Sequence, residues 1–237
     1  EIKNPLTAMS LHVQLMQRIL RNSENNDFSY EQLLEYCNII QEEIGHLNTF
    51  VTDFLLTVRP LELELVSENI HNIILPCLEL LQPELESKGI TLDLHLAEEL
   101  PDIALDAAMF KRMLLNLLQN AIQAIEEKEE KIETLESHRL YSGKLSLRSY
   151  HKNNLIYLEI LDNGCGMSEE IKKKIFEPFF TTRVKGSGLG MTMVLRILQT
   201  HNGDLQIQSE EGTATMFRIA LPVFQQEKHL LLENPLI

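Results

Sequence analysis

The chain has 237 residues, 44% of them apolar and 24% charged, which allows packed cores and excludes an intrinsically disordered chain. Its formal net charge of −14 argues against nucleic acid as a partner, because a phosphate backbone is held by clustered Lys and Arg. Cys37, Cys77 and Cys165 have no metal-like spacing and leave an odd one over, so reduced thiols and a cytoplasmic location are expected rather than a disulfide framework.

No apolar run is long enough to span a bilayer, so any membrane attachment is expected only through a missing upstream region. At the front, Ile2, Leu6, Met9, Val13, Met16 and Leu20 alternate four- and three-residue steps, a heptad seam on one helix. Pro5 falls inside this pattern, where it removes an amide donor and is expected to kink the helix. The polar stretch Arg21 to Ser29 reads as a turn. Leu33, Cys37, Ile40, Ile44, Leu47, Val51, Phe54 and Val58 then repeat the seam. Residues 1–59 are therefore expected to form a helical hairpin. Two helices alone bury a seam poorly, so two hairpins from two chains should make a dimeric four-helix bundle.

Residues 60–225 read as a second domain and 226–237 as a C-terminal tail, apolar over Leu230 to Ile237. Leu61 to Leu65 alternates strictly and predicts a short strand. Ile70 to Leu85 predicts a helix, Ile90 to Leu96 a strand, and Asp106 the start of a long helix reaching past Ala124. Further strands are predicted at Lys144 to Ser149, Leu155 to Leu161, Leu205 to Ser209 and Met216 to Leu221, with a helix at Met191 to Thr200. Strands segregated from helices in this way give an α+β fold, an α/β sandwich whose mixed sheet is covered on one face.

The long helix carries a broad apolar stripe interrupted by Asn116 and Asn120, one above the other at i and i+4. Alone, two asparagines make an ordinary polar face. Downstream, however, come Asp162-Asn163-Gly164-Cys165-Gly166-Met167, then Phe176-Glu177-Pro178-Phe179-Phe180, then Gly186-Ser187-Gly188-Leu189-Gly190. An acidic residue fused to a glycine cluster, a Phe-rich link and a second cluster opening a helix describe an ATP site. Asp162 supplies an acceptor for an adenine amino group, with Gly164 and Gly166 letting the backbone pass close to the base; the competing reading is a plain hairpin turn. The Asn120 carbonyl can complete a Mg2+ shell already built by phosphate and water, with Asn116 in support. Gly186, Gly188, Leu189 and Gly190 present amides to phosphate, Arg183 and Lys185 read equally as phosphate contacts or as a solvated pair, and Ser168 to Lys185 is expected to form a mobile lid hinged near Pro178. Cys165 is small filler rather than a nucleophile.

In this order the motifs resemble the cytoplasmic core of sensor histidine kinases: a dimerisation and histidine-phosphotransfer hairpin, then an ATP-binding (Bergerat-type) domain of the gyrase, heat-shock chaperone and MutL superfamily. Glu1-Ile2-Lys3-Asn4-Pro5-Leu6-Thr7 resembles the family's phosphoacceptor motif cut one residue after its histidine, and Gln119 to Ala124 with Arg59-Pro60 looks most like the nitrogen-regulation subgroup. The resemblance implies an autokinase that phosphorylates a histidine immediately before Glu1, absent from this chain. The phosphoryl group would pass to a receiver-domain aspartate of a response regulator, and the same bundle would also dephosphorylate that partner. Glu1 would then be the general base, Asn4 the residue orienting water, and Thr215 in Gly212-Thr213-Ala214-Thr215 part of the last small motif.

This chain departs from the pattern in carrying Gln123 where many relatives have a basic residue, and in a long, charged Glu126 to Ser142 that extends the helix outward. His12 and His46 lie on the bundle helices without the Glu-x-x-Asn context, and are expected to be surface or seam-edge residues. Two other readings stand beside the autokinase: an ATP-driven clamp that forms no phosphohistidine, and a non-catalytic dimer scaffold.

Overall fold

The computed structural model describes residues 3–22, 30–58, 63–134, 141–183 and 186–223. Contacts divide the chain into two units, residues 1–60 with 178–190, and residues 61–177 with 191–237. In the first, α1 (Lys3–Asn22) and α2 (Tyr30–Val58) pack as a hairpin. Pro5 falls in the first described turn of α1, and Ser23 to Ser29 of the expected turn lie outside the described residues, as does Ile2 of the seam. On α1, Ala8, His12, Leu15 and Ile19 are half-buried at helical spacing, and the His12 ring lies 5.4 Å from that of Tyr36 on α2. Much of the expected seam is left outside this contact. Leu6, Val13 and Leu20 of α1 and Ile44, Val51 and Phe54 of α2 are exposed, Leu6 and Leu20 at 51% each. Two helices share one line of contact, so a second apolar stripe finds no cover within the hairpin.

In the second unit, β1 (Val66–Glu68) pairs antiparallel with β3 (Ile103–Leu105), Val66 opposite Leu105. The strand expected at Leu61 to Leu65 is displaced. Leu61 and Glu62 lie outside the described residues, and Leu63 to Leu65 join no ladder. The partner strand stops at Leu105, and the Glu64 N–H donates instead to Asp106 Oδ2 at 3.2 Å. The alternating sequence thus marks the approach to the strand, because pairing is decided by the short partner.

The main sheet contains β2 (Thr91–His95), β4 (Lys144–Lys152), β5 (Leu155–Asp162), β6 (Asp204–Glu210) and β7 (Ala214–Pro222), in the order β2-β4-β5-β7-β6. Only β2 and β4 run parallel, and the crossover that a parallel pair needs is supplied by α4 (Ala107–Thr134). The β4–β5 hairpin turns on Asn153 and Asn154, with φ of 53° and 59°, as a two-residue turn requires.

One face of the sheet, bearing Leu145, Leu147, Ile156, Leu158, Ile160, Phe217, Ile219 and Leu221, is buried. The α4 stripe predicted from sequence, Phe110 to Ile125, is buried throughout, as are Ile74, Cys77 and Leu81 of α3 (His71–Ser87) and Val194 and Ile197 of α6 (Gly190–Thr200). The opposite face carries Tyr150 stacked on Tyr157 at 4.9 Å and Arg218 paired with Glu159 at 2.8 Å. This is the α+β sandwich with one covered face that the pattern predicts. Asp106 caps α4 by accepting from the Met109 N–H at 3.0 Å. Its own N–H donates to Nε2 of buried His201, whose Nδ1 donates to Ile197 O. The start of α4 is thereby tied to the end of α6. Among the described residues no helix is long and apolar enough to cross a membrane.

Candidate nucleotide site

The site in the second unit is built where β5 and β7 meet the outer half of α4. Asp162 is the last residue of β5 and stands in register with Leu145 of β4 and Thr215 of β7; Thr215 in turn is opposite Ser209 of β6. Register partners share a sheet face, so Asp162 and Thr215 lie side by side, 2% and 4% exposed. The Gly164 N–H donates to Asp162 Oδ1 at 2.9 Å. The Ser209 hydroxyl donates to Ala214 O at 3.0 Å and lies 2.9 Å from Thr215 Oγ1. With its one proton committed to that carbonyl, Ser209 accepts from Thr215. Toward any third group Thr215 therefore offers lone pairs, and the row Asp162–Thr215 is a pair of acceptors suited to an amino group.

The loop after Asp162 is fastened to α4. The Cys165 N–H donates to Ala124 O at 2.9 Å, and Cys165 O accepts from the Gly212 N–H. A Cβ on Gly164 would meet Ala124 backbone at 2.5 Å, and one on Gly166, whose φ is +63°, would meet Glu210 O at 2.0 Å. Here the structure refines the sequence reading: both glycines are required for the loop's approach to α4 and to the β6–β7 turn. Burial, followed by the nearby Glu127 carboxylate, pushes the Cys165 thiol up, consistent with filler rather than nucleophile. The Asp-Asn-Gly hairpin alternative fails, because Asn163 continues the sheet edge. Its Oδ1 accepts from the Lys144 N–H at 2.7 Å, its Nδ2 donates to Ser142 O at 2.8 Å, and the chain then moves away toward α5 (Glu169–Lys174).

On α4, the Asn120 Nδ2 donates to Asn116 Oδ1 at 3.0 Å and contacts Met191 Sδ at 3.5 Å. The two amides thus act together, and with the nitrogen so engaged the Asn120 carbonyl oxygen is the atom with the chemistry for a hard cation. Among the described residues no group of three His, Cys, Asp or Glu could hold a metal ion.

Two residues that sequence reasoning passed over complete this region. The Lys128 ammonium donates to Asn163 O at 2.7 Å and Thr213 O at 3.0 Å. The Tyr141 hydroxyl donates to Asn163 O, with Asn163 Oδ1 equally near, both at 3.1 Å. Burial, then the charges of Asp162 and Glu129, push the Tyr141 phenol up to about 12. Lys128 sits among Glu126, Glu127, Glu129 and Glu130 and reads in sequence as part of a solvated charged helix, so no linear signal singles it out.

The segment expected as a mobile lid contains α5, capped by Ser168, whose Oγ accepts from the Ile171 N–H at 3.4 Å. Its acidic first turn and basic last turn suit the helix dipole. In the first unit, the Phe179 N–H donates to Gly188 O at 2.9 Å, Phe179 takes φ +67°, and Leu189 is fully buried. Gly186 and Gly190 flank this turn, and Gly190 opens α6. Glu1 and Lys185 lie outside the described residues, and Asn4 falls in the first turn of α1.

Residues 105–225, just over half of the chain, match the family of histidine kinase-, DNA gyrase B- and HSP90-like ATPases. The chain belongs to that family. Over nearly its whole length it is also similar to sensor kinases. Sporulation kinase E of Bacillus subtilis (strain 168) is 28% identical over 95% of this chain and 28% of its own length. Signal transduction histidine-protein kinase AtoS of Escherichia coli (strain K12) is 30% identical over 95% of this chain and 34% of its own. The chain therefore spans about a third or less of these two relatives. Among solved structures, histidine kinase ThkA in complex with response regulator protein TrrA aligns with a TM-score of 0.69 at 25% identity, over 94% of this chain and 59% of that one.

Proposed function

We propose that the chain is the autokinase core of a sensor histidine kinase, with the helical hairpin dimerising and the second unit delivering the γ-phosphoryl group of ATP. The observation that carries this reading is the joining of a hairpin to an ATP-binding domain in one chain, matched over 94% of its length by a histidine kinase solved with a response regulator. Asp162 and Thr215 accept from the adenine amino group. Asn120, supported by Asn116, holds Mg2+, which screens phosphate charge. The amides of Gly186, Gly188, Leu189 and Gly190, with Lys185, hold the phosphates, and Gly164 and Gly166 shape the base loop. The acceptor is a histidine immediately before Glu1; Glu1 takes the imidazole proton as the ring attacks, and ADP leaves. A receiver-domain aspartate then attacks the phosphohistidine, and Asn4 orients water when the partner is dephosphorylated. In this scheme the protein works by positioning and electrostatics.

The test extends the chain by one histidine before Glu1 and incubates it with ATP labelled in the γ-phosphate. Label lost in acid and retained in base is the expected result. Steady ATP hydrolysis with no such label would refute the autokinase and favour the clamp.

A further inference from the structure

Asp162 and Thr215 both stand where the sheet ladder runs out. The chain leaves β5 directly after Asp162, and Thr215 follows the 211–213 turn by two residues. The ladder ends at these residues, and beyond it the loop is held through Cys165, whose N–H donates to Ala124 O and whose O accepts from the Gly212 N–H. One cation also reaches both loops, since Lys128 donates to the carbonyl next to Asp162, Asn163 O, and to the carbonyl two residues before Thr215, Thr213 O. Of its acidic neighbours, Glu126 pairs with Lys88 at 2.6 Å and Glu127 accepts from the Cys165 thiol at 3.6 Å. The Tyr141 ring lies 5.2 Å below the ammonium, and its hydroxyl donates to the same Asn163 carbonyl.

We infer that Lys128 is a positioning residue for base recognition, stapling the Asp162 loop and the Thr215 turn to α4 so that their two acceptors keep the separation an adenine amino group requires. The inference rests on the reading of Asp162 and Thr215 as adenine contacts. It makes Lys128 a determinant of nucleotide choice, although its hydrogen bonds go to main-chain carbonyls. Guanine carries a carbonyl where adenine carries the amino group, so a rigid pair of acceptors repels it, whereas a loosened pair discriminates less. The high pKa of Tyr141 keeps its hydroxyl a donor across the working pH range.

The experiment measures ATP and GTP affinity calorimetrically for the full chain and for the variants K128M, K128R and D162N. A hydrogen-bonded charge is worth enough that K128M should weaken ATP binding about tenfold while GTP changes less than about threefold, and K128R should restore ATP to within about threefold. A lysine that merely stabilises the fold would lower the melting temperature and leave the ATP-to-GTP ratio intact; that result overturns the inference. Should D162N leave ATP affinity unchanged, the adenine reading falls and this inference with it. Should D162N weaken ATP while K128M does not, Lys128 alone is refuted. If K128M fails to fold, Y141F removes one bond to the same carbonyl; a fall of about threefold in the ratio supports the staple, and an unchanged ratio overturns it.

Discussion

The hairpin and the sheet unit carry the same kind of message, an apolar stripe at helical spacing, and end with opposite fates. Along α4, Leu117, Leu118 and Ile122 are completely buried, whereas Leu6 and Leu20 on α1 remain 51% exposed and Phe54 on α2 42%. The sheet unit has a second layer of its own to cover the stripe; the hairpin has one line of contact and two stripes. Periodicity therefore specifies that a face is to be covered and leaves open what covers it. For the hairpin, a second copy offering the same stripe is the cover we propose.

The sharpest way to break this contrast is truncation. Leu117→Ala should cost the sheet unit about 2–5 kcal/mol through the lost contacts and the cavity left behind. Leu20→Ala, measured by denaturation of the monomeric chain, should cost less than about 1 kcal/mol. Equal costs would remove the distinction between a covered and an uncovered stripe. Within the sheet unit, Asp162→Asn should lower ATP affinity by roughly 30- to 100-fold with little change in unfolding temperature, the loss of a charged acceptor to a ligand. Calorimetry decides it.

For the hairpin, Val13→Asp places a charge in the exposed stripe. It should raise the dissociation constant of the dimer at least about tenfold by sedimentation, and an unaffected association would mean that this stripe is covered by something else. The smallest effect concerns His71 at the start of α3, whose Nε2 lies 2.8 Å from Ser149 Oγ and whose pKa burial lowers. The unfolded chain then takes the proton first. Stability should be unaffected above about pH 7 and decline as pH falls through the unfolded value of about 6.5. His71→Gln should flatten that part of the profile.

Most of the sheet unit was legible because its signals are local and redundant. The α4 stripe, the strands at Leu155 and Met216 and the capping Asp106 each follow from a short stretch of sequence. The β1–β3 ribbon was not, since three residues pairing with three others 37 positions away leave no periodicity to read. The Asp162–Thr215 row was half legible: Asp162 stands out beside its glycines, but the proton-ordering role of Ser209 depends on strand register. Lys128 and Tyr141 were invisible for the same reason, being a lysine in a glutamate-rich helix and a tyrosine after it that acquire meaning only when α4 passes Asn163. Gly164 and Gly166 read in sequence as room for a base, whereas in the structure it is Ala124 and Glu210 that crowd them from within the protein.

The most direct test of the account joins its two halves in one chain. With a histidine restored before Glu1, acid-labile, base-stable label from γ-labelled ATP should appear in the parent chain and vanish when Asp162→Asn is added. Equal labelling of both would contradict the assignment of the nucleotide site, and no label in either, despite measurable ATP binding, would contradict the autokinase.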